Sequence, residues 1–125
     1  MNLYIDTENG TWAIDLESEE LELAEPFEPD LAAVDLPRVV AAARSGATIV
    51  AAVDASPPLL VSHDAGVTWR ESGRGLPQPR AVAISDDDPD LVAYASRNRV
   101  YVSRDGGRFW TALALELPAI RAIAF

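Results

Sequence analysis

The chain has 125 residues, a formal net charge of −10 and no cysteine, which bounds it to one domain, or to a share of a domain built from several chains. Missing thiols exclude disulfides, thiolate metal sites and cysteine nucleophiles. The acidic balance argues against nucleic acid and anionic membrane as partners, and no apolar run approaches the roughly 20 residues of a membrane span.

The charge is unevenly spread. Residues 1–37 contain eleven carboxylates and no basic residue, whereas residues 38–125 contain nine carboxylates and ten Arg. The start, Met1-Asn2-Leu3-Tyr4-Ile5-Asp6, has neither the basic flank nor the apolar core of a secretion signal, so a cytoplasmic location is expected.

Residues 3–7 read as a strand, Glu8-Asn9-Gly10 as a hairpin turn, and 11–16 as the return strand. Leu21 and Leu23 alternate with Glu20 and Glu22, the period of a half-buried strand, before Pro26 and Pro29 end it. Pro37 interrupts the Ala- and Leu-rich stretch 31–43, which favours a loop and then a strand over 38–42. Arg44-Ser45-Gly46 reads as a turn. Strands follow at 48–54 and 59–62, and the second half repeats the order with strands at 80–85, 91–96, 100–103 and 111–115.

The ruler behind this repeat is an octapeptide. Ser62-His63-Asp64-Ala65-Gly66-Val67-Thr68-Trp69 returns 41 residues later as Ser103-Arg104-Asp105-Gly106-Gly107-Arg108-Phe109-Trp110. Leu-Pro recurs at 36–37, 76–77 and 117–118, and Arg38, Arg80 and Arg121 open the strand that follows each time. Four short strands per period of about 41 residues is the pattern of propeller blades. Units at 38–79 and 80–120 are then whole blades, and 1–37 plus 121–125 make a divided third, all within a single domain over 1–125. Three blades do not close a ring of the usual four to eight. The expectation is an all-β homodimer forming one six-bladed propeller, each C-terminal strand completing the N-terminal blade of the other subunit.

Within each octapeptide the chemistry is that of a hairpin clamp. Ser62 and Asp64, like Ser103 and Asp105, are spaced to bond the backbone of a tight turn. Gly66 and Gly107 suit positive φ, and Trp69 and Trp110 supply a large apolar ring beneath the turn. The two copies resemble the Asp-box of the bacterial neuraminidase repeat (BNR) family. Asp86-Asp87-Asp88-Pro89-Asp90, with the strand Leu91-Val92-Ala93-Tyr94-Ala95, is similar to the turn and strand that precede the box in such blades. The resemblance spans 37–121 and implies a propeller with the boxes on its periphery, away from catalysis. The family includes sialidases, endoglucanases, sorting receptors and assembly factors, so it leaves function open.

Among groups that bear chemistry, Arg38, Arg80 and Arg121 would gather at one mouth of the channel, where guanidinium forks bind carboxylate or phosphate. Tyr94 and Tyr101 sit at spacings that suit packing, and His63, the one histidine, is expected on the surface. Asp86-Asp87-Asp88 reads as a solvated turn before it reads as a calcium site. Short inter-strand loops argue against catalysis. The function expected is a non-catalytic binding or assembly scaffold for a protein, a peptide or a small anion, with no metal or cofactor. The alternative is a minimal glycoside hydrolase or a lectin assembled by dimerisation.

Overall fold

The computed structural model describes residues 1–29 and 31–125. It is all-β, with three four-stranded antiparallel sheets and no helix among the described residues. The strands are β1 (Asn2–Thr7), β2 (Gly10–Asp15), β3 (Leu21–Leu23), β4 (Val39–Ser45), β5 (Thr48–Val53), β6 (Leu59–Ser62), β7 (Arg70–Ser72), β8 (Ala81–Ile84), β9 (Val92–Ala95), β10 (Val100–Ser103), β11 (Thr111–Ala112) and β12 (Ile120–Ala124). Sheet I has the order β12-β1-β2-β3, sheet II β4-β5-β6-β7 and sheet III β8-β9-β10-β11.

Several boundaries differ from the sequence reading, and β11 ends at Ala112 where a strand to 115 is expected. β4 runs on to Ser45, because Gly46, at φ +59, supplies the left-handed residue the turn needs. Arg38 lies one residue before β4 in a turn, with φ +63, and Arg80 one residue before β8; Arg121 is inside β12.

The C-terminal strand completes the N-terminal sheet within the same chain. β12 pairs antiparallel with β1, Tyr4 opposite Ala124 and Ile5 opposite Ile123. This corrects the expected exchange between subunits. Sheet I stands directly beside sheet III, so the connection over residues 113–119 delivers β12 to its own β1.

The sheets pack face to face in the order II, III, I. Their edge strands β4, β8 and β12 lie side by side, with β8 between the other two, and β4 does not touch β12. The array is therefore open at both ends. One core lies between I and III, where Leu3, Ile5, Ile14, Ile120 and Ile123 meet Ala83, Ala93, Val100 and Val102. The other lies between II and III, where Ala43, Val50, Leu59 and Val61 meet Val82, Val92 and Tyr94. Each sheet alternates along its strands: on β1, Leu3 and Ile5 are buried toward sheet III while Tyr4 is exposed.

β12 holds sheet I to sheet III through Ile120 and Ile123, both almost wholly buried. Fully burying an aliphatic side chain of this size contributes about 1.5–3 kcal/mol, and truncation adds a cavity term. Ile123→Ala is expected to lower the free energy of unfolding by about 2–5 kcal/mol, read as a lower midpoint in urea.

Candidate functional site

The two octapeptides are the β6–β7 and β10–β11 connections, and their hydrogen bonds nearly coincide. In the first, Ser62 Oγ donates to Asp64 Oδ1 at 2.8 Å and accepts from the Gly66 amide at 2.8 Å. Asp64 Oδ1 also accepts from the Thr68 amide at 2.9 Å, and Oδ2 accepts from the Thr68 hydroxyl. In the second, Ser103 Oγ donates to Asp105 Oδ1 at 2.7 Å and accepts from the Gly107 amide at 2.9 Å. Asp105 Oδ1 accepts from the amides of Arg108 and Phe109 at 3.1 and 3.0 Å. Gly66 and Gly107 have φ of +90° and +92°, and the indole of Trp69 or Trp110 lies against them.

These bonds stabilise the charged carboxylates. The Thr68 hydroxyl and amide, then Ser62, pull Asp64 down to about 2. The Phe109 amide, then Ser103, holds Asp105 below the usual carboxylate range. Both acids are thereby committed to the turn and unsuited to proton transfer near neutral pH.

The second box also joins sheets. Trp110 Nε1 donates to Ser72 Oγ at 2.9 Å, and the Ser72 hydroxyl donates to the Gly107 carbonyl. The Trp110 ring meets Tyr94 edge-on at 5.3 Å, and Tyr94 stacks on Tyr101 at 4.7 Å. The Tyr94 hydroxyl donates to the Pro77 carbonyl at 3.2 Å. Burial, and then the neighbouring Tyr101, push its pKa up. Tyr94 is a packing residue.

The three arginines lie at the N-terminal ends of the adjacent strands β4, β8 and β12, and all three are exposed. Arg80 Nη1 donates to the Ile120 carbonyl at 3.4 Å, next to Arg121. Among the described residues none of the three is in salt-bridge contact with a carboxylate.

A cleft of about 320 Å³ lies at the other end of these strands, lined by Arg44, Ser85, Asp86, Asp87, Ile123 and Phe125 among others. Sequence reasoning did not point to it, because its lining comes from three strand ends far apart in the chain. The neighbouring turn is held by its own groups: Asp88 accepts from the Asp90 amide, and Ser85 Oγ accepts from the Asp88 amide. No group of three or more metal-ligating side chains occurs among the described residues. His63 is exposed and lies over Gly106 of the second box, with Nδ1 3.4 Å from Thr48 Oγ1.

Two further junction residues escaped the sequence reading. Ser72 carries no signal of its own, since its partner Trp110 is 38 residues away. The loop after β2 takes the place of a box in sheet I. Asp15 Oδ1 accepts from the amides of Glu17 and Ser18, and Glu19 Oε1 accepts from the Ala114 amide, just past β11 of sheet III, at 2.7 Å. Bonds from Ser18 and Glu17 lower Asp15 as well. Counting strands, rather than searching for the octapeptide, would have marked this loop.

A carboxylate whose folded pKa is depressed contributes stability above its unfolded pKa and loses it as pH falls through the folded one. For Asp64 that window runs from 3.8 down to about 2. The urea midpoint is expected to fall across this window, and to fall less in Asp64→Asn. Equal slopes would show that the box carboxylate does not set the acid limb. No protein family, curated protein or solved structure matches this chain.

Proposed function

We propose that the three sheets are BNR-type propeller blades, that two chains complete one six-bladed ring, and that the ring is a non-catalytic binding or assembly scaffold. Its ligand is a carboxylate or phosphate held at the mouth where Arg38, Arg80 and Arg121 gather. The observation that carries this reading is the side-by-side placement of β4, β8 and β12 with an arginine at the start of each. The bond from Arg80 to the Ile120 carbonyl draws that guanidinium toward Arg121. Paired, charge-assisted bonds from guanidinium forks are the strong way to bind such anions.

The ring size follows from counting. Three sheets leave β4 and β12 apart, and twice three falls among the usual four to eight blades. The non-catalytic reading is supported by where the acids and tyrosines sit. Asp64 and Asp105 are bound into their turns, and the Tyr94 hydroxyl is raised and spoken for. Glycoside hydrolysis sets two carboxyl groups across a bond. In the cleft at the opposite end, Asp86 and Asp87 are consecutive on one turn.

Titration calorimetry with inorganic phosphate and with citrate tests the site. Arg80→Ala is expected to weaken binding at least about tenfold, the loss of one charged hydrogen-bond donor pair, while Arg44→Ala leaves it unchanged. Unchanged binding in Arg80→Ala ends the proposal for this mouth, and a loss confined to Arg44→Ala moves the ligand to the other end. Sedimentation equilibrium is expected to give twice the chain mass of 13.4 kDa. A single-chain mass at low micromolar concentration overturns the ring.

A further inference from the structure

We propose that the crevice between sheet II and the second box binds a phosphate-type oxyanion, held by the guanidiniums of Arg70 and Arg108 and by the His63 imidazole. The site belongs to one chain and needs neither the ring nor the arginine mouth.

Strand register brings these groups together. Arg70 stands opposite Val61, and Ser72 opposite Leu59, across β6 and β7. Residues directly opposite share a face, and Leu59 and Val61 are buried toward sheet III. Arg70 is therefore on the face that receives the second box, two residues from Ser72, which bonds Trp110 and Gly107 of that box. A methyl group on Gly107 would stand 3.1 Å from Val61 Cγ2, and one on Gly106 would stand 3.0 Å from His63 Cε1 and 3.5 Å from Nε2. The box thus lies against Val61 and His63, and Arg108 is its next residue. A crevice of about 190 Å³ remains, bordered by His63, Arg70, Ser72 and Arg108. Glu71 also borders it but alternates to the opposite face of β7. On His63, Nδ1 faces Thr48 Oγ1 at 3.4 Å. With that hydroxyl donating to Nδ1, the ring hydrogen is on Nε2, the nitrogen nearer the box.

The other junction supplies the comparison. By octapeptide register Arg104 is the counterpart of His63, and the loop after β2 brings Glu17 to it at 3.8 Å. At the II–III junction the crossing loop is the second box. It brings Arg108 instead of a free acid, because its carboxylate, Asp105, is bound into its own turn. Arg70 adds a second guanidinium where the sheet III register has Thr111. Among the described residues, none of His63, Arg70 and Arg108 is in salt-bridge contact with a carboxylate. That includes Asp90, whose Oδ1 would stand 3.3 Å from the same methyl group on Gly106. Like charges gathered without a counter-ion repel. Two guanidinium forks and an imidazole N–H also offer more donors than one carboxylate accepts. A dianion with three terminal oxygens matches them in charge and in bonds.

The test is a titration of the isotope-labelled full chain with inorganic phosphate at low ionic strength, followed by nuclear magnetic resonance. The amide signals of Gly106 and Gly107 and the indole signal of Trp110 are expected to move and saturate. These reporters are local, so phosphate at the arginine mouth does not enter the reading. Arg70→Thr and Arg108→Val install the residues found at the matching positions, Thr111 and Val67. Each is expected to raise the dissociation constant at least about tenfold, the loss of one charged donor pair. Both arginines are exposed, so signals elsewhere should stay in place. Arg97→Ala, on an exposed turn, is expected to leave the constant unchanged. Arg108→Glu, which supplies an acid from the chain itself, is expected to abolish the movement. Acetate, with one charge and two oxygens, is expected to bind at least about tenfold more weakly than phosphate. Phenyl phosphate binding as tightly as inorganic phosphate extends the site to phosphomonoesters, and binding of inorganic phosphate alone confines it to the free ion; either upholds the site. Absence of saturable movement at Gly106 and Gly107 overturns it. So does a dissociation constant unmoved by Arg70→Thr and Arg108→Val, or acetate binding as tightly as phosphate.

Discussion

The antiparallel pairing of β12 with β1 is the constraint on which the rest of the structure depends. It places Ile120 and Ile123 between sheets I and III, beside Leu3 and Ile5, and it sets β12 alongside β8. Without it sheet I would be a three-stranded meander ending in the short, exposed strand β3, a small unit for independent stability. The ladder therefore does two things at once. It completes a sheet, and it supplies the strand through which that sheet joins the array.

The junctions between sheets show how one architecture tolerates different chemistry. Between II and III a neutral indole donates to a serine hydroxyl, backed by two tyrosine rings. Between III and I a glutamate accepts a backbone amide, and Arg104 approaches Glu17 at 3.8 Å on the exposed rim. An exposed ion pair of this length adds little, so the apolar core carries the second junction. The boxes follow the same economy. Their hydroxyl and carboxylate groups satisfy amides that the tight turn turns away from the strand ladder, which is how they hold its shape.

Much of the fold was legible in the sequence because it is written in local terms. Alternation in β1, the apolar run of β5, the Asn9-Gly10 turn and the 41-residue spacing all act over a few residues or repeat. The boxes were legible for the same reason: every bond within them spans four residues or fewer. Ser72 and Glu19 were not. Each takes its meaning from a sheet that the chain reaches only much later or earlier, and their residue types vary from one sheet to the next. Arg44 and Ser45 looked like a turn because they are polar, yet only Gly46 needed the left-handed backbone. The strand order of sheet I was readable, but whose β1 receives β12 was not, since hydrophobic pattern does not encode which copy of a strand is the neighbour.

The linear order II, III, I has a consequence for how the molecule comes apart. In arrays where each unit touches only its neighbours, stability is approximately a sum of unit and interface contributions. Sheet III packs against another sheet on both faces, whereas II and I each pack against a sheet on one. Opening fluctuations should then begin at the flanks, at the short outer strands β3 and β7, and reach β8 and β9 last. The amides of β8 and β9 would exchange with solvent only when the whole chain unfolds, so the molecule behaves as a graded stack with a protected middle layer and two frayed ends.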